Sequence, residues 1–163
     1  SDLANNFGNL CQRVLAFTEK NLGLKIPTPD KFNFDDLKIL NYFSENYQIL
    51  IEYINNQNIN SYMNFIVDKM FLANKYFNDQ EPWRNKNDIK RLNTIIYTSL
   101  ELIRKISILL YPVIPDTSIK ALSIFNINEK NISVESIKNN EYLKVNNDIN
   151  KINILFKKII NND

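Results

Sequence analysis

The 163-residue chain contains no histidine, one cysteine and two glycines. Without histidine, a Ser-His-Asp or Cys-His nucleophile system, an imidazole proton shuttle and a Cys/His zinc site are excluded by counting. Two glycines leave few positions where a positive φ comes without strain, so phosphate-cradling loops, dinucleotide fingerprints and glycine-turned hairpins are not expected. The lone Cys11 argues against a disulfide scaffold and points to a reducing, cytoplasmic setting. No apolar run approaches the length of a membrane span or a signal-peptide core. Charge of one sign is not in excess either: 20 Lys and Arg stand against 18 Asp and Glu, a net charge of +2. That is too small to attract nucleic acid by field alone, so any RNA site has to be local.

Apolar mass is plentiful, with 44% hydrophobic residues and 12% aromatics in one domain's length of chain. Its spacing is helical. Leu3, Phe7, Leu10, Val14 and Phe17 recur at three and four and predict a first helix, stopped at Gly23 by a left-handed C′ position and by Pro27 and Pro29 beyond. Asn33 reads as an N-cap followed by acidic Asp35 and Asp36, opening a second helix expected to run to about Asn56. Asn60 or Ser61 is expected to cap a third, carrying Tyr62, Phe65, Ile66, Met70, Ala73 and Tyr76 and broken by Pro82. From Asp88 the longest pattern, Leu92 to Leu110, predicts a central helix ended by Pro112 and Pro115, and Asp116 or Thr117 is expected to cap a short fifth. The fold expected is all-α, an antiparallel bundle of about five helices over residues 1–126. Residues 127–163 are expected to form a tail, irregular or briefly β-like near Asn150 to Phe156, packing on the bundle or on a missing catalytic domain.

Two polar features stand out against this apolar framework. Asn9 and Arg13 lie four apart beside the core-facing stripe of the first helix, with Asn6 and Lys20 extending their row. Spacing alone makes them an ordinary polar flank. Amide and guanidinium are, however, the groups that read base edges and phosphates. Trp83, the only tryptophan, follows Pro82 in a polar connection with Arg84 and Lys86 alongside. It suits either a lid on the bundle end or a stacking platform for an unpaired base.

Longer runs carry a resemblance. Leu3-Ala4-Asn5-Asn6-Phe7-Gly8-Asn9-Leu10-Cys11-Gln12-Arg13 resembles the LAN-x-x-GNL-x-x-R segment that opens the C-terminal helical domain of bacterial methionyl-tRNA synthetases. Leu72-Ala73-Asn74-Lys75-Tyr76-Phe77 followed by Gln80-Glu81-Pro82-Trp83 is similar to that family's LAN-[KR]-Y and x-PW elements. The stretch from Ile108 to Pro115 resembles its proline-punctuated helix end, and Ile154 to Ile159 faintly resembles its closing LFPRI segment, with Lys157 where the family has proline.

The resemblance implies a class I anticodon-binding helix bundle that recognises the CAU anticodon of methionine tRNA. Asn9, Arg13 and Trp83 would contact the splayed anticodon bases, Pro82 would fix the loop presenting the indole, and Asn6 and Asn74 would support them. The histidine-bearing HIGH-like and the KMSKS-like signatures of the family's catalytic body are absent from these residues, so no catalytic or metal-binding residue and no cofactor is expected here. ATP and Mg would belong to the parent enzyme, from which this piece would be cut at a domain junction. The partners implied are the anticodon loop of methionine tRNA and the parent's own catalytic domain, with neither membrane nor DNA. An anticodon domain of another class I synthetase and a helical protein-interaction module, with Trp83 as its anchor, stay open as alternatives.

Overall fold

The computed structural model describes residues 2–152, with burial from residue 3 onward. Among them six α-helices follow one another: α1 Asp2–Leu22, α2 Phe34–Glu45, α3 Tyr47–Asn55, α4 Ile59–Gln80, α5 Ile89–Leu110 and α6 Pro115–Ser123. Several ends lie where local chemistry places them. Gly23 takes φ +77° directly after α1, and Asn33 and Asp36 form a reciprocal capping box at the start of α2. The Asp88 side chain accepts from Arg91 N to start α5.

Three expected boundaries are corrected. The second helix does not run unbroken to Asn56. At Asn46 the backbone turns to φ −105°, ψ 7°, the side chain donates to Tyr42 O at 2.8 Å, and the helix restarts as α3. The third expected helix is capped by Asn58, which accepts from Ser61 N, rather than by Asn60 or Ser61, because Gln57 supplies the positive-φ turn that redirects the chain. The last one starts at Pro115 itself rather than after an Asp116 or Thr117 cap, since proline at the first helical position has no N–H to leave unsatisfied. The expected closing segment after residue 152 lies outside the described residues.

Helix α5 is the axis of the molecule. Every residue from Thr94 to Leu110 is buried, against α4 and α6, with α1 and α2 closing around it. Leu10, Val14, Phe43, Ile66, Ile96, Ile103 and Leu110 meet in one core, as their spacing predicts. Helices α4 and α5 are antiparallel, with Gln80 beside Arg91 at one end and Tyr62 beside Leu109 at the other. Helix α1 lies along α4 in the same direction, Leu3 facing Val67 and Arg13 facing Asn78. That pairing creates the surface on which the site sits.

The weakly patterned residues after α6 pack onto the bundle. Ile127, Ile137, Leu143 and Ile149 enter the shared core. An isolated antiparallel bridge joins Lys25 and Asp148, with Ile26 N donating to Asn147 O at 2.9 Å. The segment is held by charges inside α5 that periodicity conceals. Arg104 and Glu101 pair at 2.9 Å, both fully buried. Arg104 also donates to Asn139 O at 2.7 Å, Glu101 accepts from Leu143 N at 2.9 Å, and Lys105 donates to Leu40 O and Asn140 Oδ1. A buried charge is tolerable only when its lone pairs and protons are matched in this way.

Candidate nucleic-acid interface

One aromatic, Phe77, organises the polar surface of α1 and α4. Its ring is buried, meets the Phe17 ring edge-on at 6.1 Å and the Trp83 indole at 6.1 Å and 64°, and lies 5.3 Å beneath the Arg13 guanidinium. Arg13 and Trp83, 70 positions apart by subtraction of their numbers, therefore share one support. The guanidinium is further fixed from α4. Nη1 donates to Asn74 Oδ1 at 3.0 Å and Nη2 to Asn78 Oδ1, while Asn74 is itself oriented by a 3.3 Å bond to Met70 O. Two of the five guanidinium N–H donors are thus engaged, and the side chain is exposed. Asn9 is exposed one turn before Arg13, and Asn6 is exposed one turn before that.

The loop presenting the indole is tied down at every step. Helix α4 ends as Glu81 enters the left-handed region at φ 47°, and buried Pro82 opens a single 3₁₀ turn, Pro82–Arg84. Asn85 Nδ2 reaches back to Gln80 O at 3.1 Å and Glu81 O at 3.0 Å, satisfying carbonyls that the helix end leaves open. Asp88 N closes the turn on Asn85 O. Trp83 remains 43% exposed, with Arg84 and Lys86 exposed beside it.

Behind the loop lies an ion pair. Asp36, fully buried, receives Arg91 Nη1 at 2.7 Å and Nη2 at 3.0 Å, the Asn33 N–H at 2.9 Å and the Tyr76 hydroxyl. Arg91 also donates to Gln80 Oε1 at 2.6 Å, which anchors the last turn of α4 to the first of α5. Burial, then the Asp36 charge, pushes the Tyr76 phenol well above its usual range. The bond to Asp36 holds the Arg91 guanidinium firmly charged.

The structure thus brings Arg13, Trp83, Pro82 and Asn74 together and sets Asn9 and Asn6 along the same row. Sequence reasoning gave no role to Asn78 or Phe77. Asn78 was legible only as part of a polar helix end, although its position four after Asn74 puts both carbonyls on one face. Phe77 directly follows the LAN-[KR]-Y motif, where its apolar character reads as core.

Gly8 lies inside α1 and Gly23 ends it, and among the described residues no group of three His, Cys, Asp or Glu side chains could hold a metal. Burial pushes the Cys11 thiol far up, so it is an inert part of the core.

Asn9, Arg13 and Trp83 are all exposed on one side of a helical bundle, with Arg13 and Trp83 sharing the Phe77 ring. A family model, the anticodon binding domain of methionyl tRNA ligase, matches residues 44–163. The chain is 32% identical over 161 residues to the methionine–tRNA ligase of Thermotoga maritima, covering 98% of this chain and 25% of that protein. It is 34% identical over 138 residues to that of Mycobacterium leprae, covering 79% and 25%. Among solved structures, apo methionyl-tRNA synthetase of Mycobacterium tuberculosis superposes with a TM-score of 0.84 at 27% identity, over 93% of this chain and 31% of that one. The chain belongs to the anticodon-binding domain family of methionyl-tRNA ligases. It spans about a quarter of the length of the curated relatives it matches.

Proposed function

We propose that this domain reads the CAU anticodon of methionine tRNA on behalf of a methionine–tRNA ligase. One observation carries the reading: Arg13 and Trp83 are both seated on Phe77 and both open to solvent, with Asn9 one turn away. Trp83 supplies a stacking face for the first anticodon base, worth about 1 to 3 kcal/mol in comparable contacts. Asn9 and the N–H groups of Arg13 not taken by Asn74 and Asn78 hydrogen-bond that base's edge, and Arg13 is planar and pre-oriented because the two amides hold it. Pro82 fixes the turn, and Asn6 extends the polar row.

In the parent, methionine activation with ATP and Mg takes place in the catalytic domain, and this domain selects the tRNA in the cytoplasm. Pyrophosphate exchange measured beside tRNA charging in the intact ligase tests the division of labour. Trp83→Ala is expected to reduce charging while leaving exchange near normal. Equal loss of both would place Trp83 in the body of the enzyme's stability instead.

A further inference from the structure

We infer that residues 134–143 form a strap closed over α5 by the Lys105 amine, and that proton uptake by that amine opens it. Arg13 and Trp83 play no part in this device. The strap contains one short 3₁₀ turn, Val134–Lys138, and only its Ile137 and Leu143 are buried. Most of its hold on the bundle is polar and converges on two turns of α5. Arg104 reaches the Ser136 and Asn139 carbonyls, Glu101 takes the Leu143 N–H at 2.9 Å, and Tyr97 donates to Leu143 O at 2.7 Å. Lys105 donates to Asn140 Oδ1, and Nδ2 of that amide donates to Asn41 on α2 at 2.8 Å. Asn140 thus fastens the strap to two helices at once.

Proton count makes Lys105 the releasable part. Glu101, Arg104 and Lys105 are all fully buried, so two basic groups face one carboxylate. Arg104 takes that carboxylate with both Nε and Nη2, and among the described residues no acid lies within ion-pair distance of Lys105 Nζ. Nζ has two acceptors, Leu40 O at 3.2 Å and Asn140 Oδ1. A neutral amine fills both with its two N–H groups. An ammonium has a third, for which only the Phe43 ring, 5.4 Å away, remains. The closed strap therefore fits the amine and not the ammonium, whose charge would stand unpaired in the interior. With the strap lifted, Asn140 leaves and water takes its place on Nζ.

The charged groups of the other elements packed on α5 are partnered elsewhere or exposed. On α4, Lys69 lies behind the Phe43–Phe65 pair and is bonded to Asp68, and on α2 Asp36 is taken by Arg91. On α1 Arg13 is held by α4, and on α6 Asp116 and Lys120 are exposed. On the strap itself Glu135 pairs with Lys138, which sits over the Tyr47 ring of α3, and Glu141 is exposed.

Burial, opposed by Glu101 and reinforced by Arg104, brings the amine of the closed state from 10.5 down to about 7. Opening returns it to its ordinary range, so between those values each opening takes up a proton. The closed-to-open ratio then rises about tenfold per pH unit, and below about pH 7 both states hold the proton and the dependence ends.

The test is hydrogen–deuterium exchange of the full-length ligase between about pH 7 and 9, read as protection factors with the intrinsic pH dependence of amide exchange divided out. Peptides covering residues 134–143 are expected to exchange well before those of the middle of α5, and their protection should rise about tenfold per pH unit. Lys105→Met should abolish that slope. Asn140→Asp, which offers the third N–H a carboxylate, should abolish it with Lys105 in place. Strap protection that is flat with pH in the wild type, or that keeps its slope in either variant, overturns the inference. So does a strap that exchanges only in step with the middle of α5, because it then opens only with the whole domain.

Discussion

Arg13 on α1 and Asn74 on α4, 61 residues apart in the chain, are joined by a 3.0 Å hydrogen bond, and Asn78 takes the next N–H of the same guanidinium. The two amides fix the plane of the only positive charge on this stretch of α1. Loosening them should therefore cost specificity more than fold. Asn78→Ala is expected to weaken binding of a CAU hairpin about three- to tenfold and to narrow the gap to a hairpin with an altered first base, with unfolding temperature nearly unchanged. Arg13→Lys should fail similarly, because an ammonium cannot bond both amides and a base edge in one plane. Equilibrium binding to the two hairpins checks both variants.

The loop that carries Trp83 depends on a buried carboxylate two helices away. Asp36→Ala leaves Arg91 without its ion-pair partner and frees the Tyr76 hydroxyl and the Asn33 N–H. A loss of about 3 kcal/mol in unfolding free energy is expected, at the low end for a broken buried pair because Arg91 is 20% exposed. Urea unfolding measures it. Since Trp83 is the only tryptophan in the chain, its emission should also shift as Gln80 loses its anchor.

Lys105 makes stability depend on pH near neutrality. Burial, opposed by Glu101 and reinforced by Arg104, lowers its amine from the usual 10.5 to about 7. Between those values the unfolded chain holds a proton the folded chain does not, so stability from this group rises as pH rises from about 7 toward 10.5. The buried phenols of Tyr62, Tyr76 and Tyr97, all shifted upward, act oppositely once unfolded tyrosines ionise near 10. Urea midpoints should therefore increase from about pH 6.5 to 9, and Lys105→Met should flatten that slope.

Much of this architecture was legible because it is local. Gly23, Asn33 and Asp88 act through their own backbone and nearest neighbours, so their roles can be read from residue type and position. The break at Asn46 was not, since the apolar period runs on from Phe43 through Tyr47 to Leu50 and only a side-chain bond to Tyr42 O interrupts the helix. Glu101, Arg104 and Lys105 were hidden for the opposite reason. Their partners come from residues 136–143, which have no periodicity to place them, so nothing local marks the three as buried. Asn9, Arg13 and Trp83 could be grouped only by family resemblance. The convergence of Arg13 and Trp83 on Phe77 depends on α1 lying parallel to α4, which spacing within either helix does not specify.

Among the described residues, Arg13, which shares the Phe77 ring with Trp83, and the neighbouring Arg84 and Lys86 are exposed basic groups at the proposed site, and Arg84 sits 3.6 Å from Glu81. Hairpin affinity should then fall gently with salt, with a log–log slope of about −2. A filter-binding series across ionic strength gives that slope, and a value near −6 would mean that a different, more basic surface holds the RNA.

We propose that Asn9, Arg13 and Trp83 together read the first anticodon base. The decisive measurement is the affinity of the intact ligase for two methionine tRNA transcripts, one with CAU and one with only the first base changed. Wild-type protein should prefer CAU strongly. Asn9→Ala and Arg13→Ala should each shrink that preference, while Trp83→Ala should weaken the CAU complex by about 1 to 3 kcal/mol. Unchanged affinity and unchanged preference in all three folded variants would contradict the account.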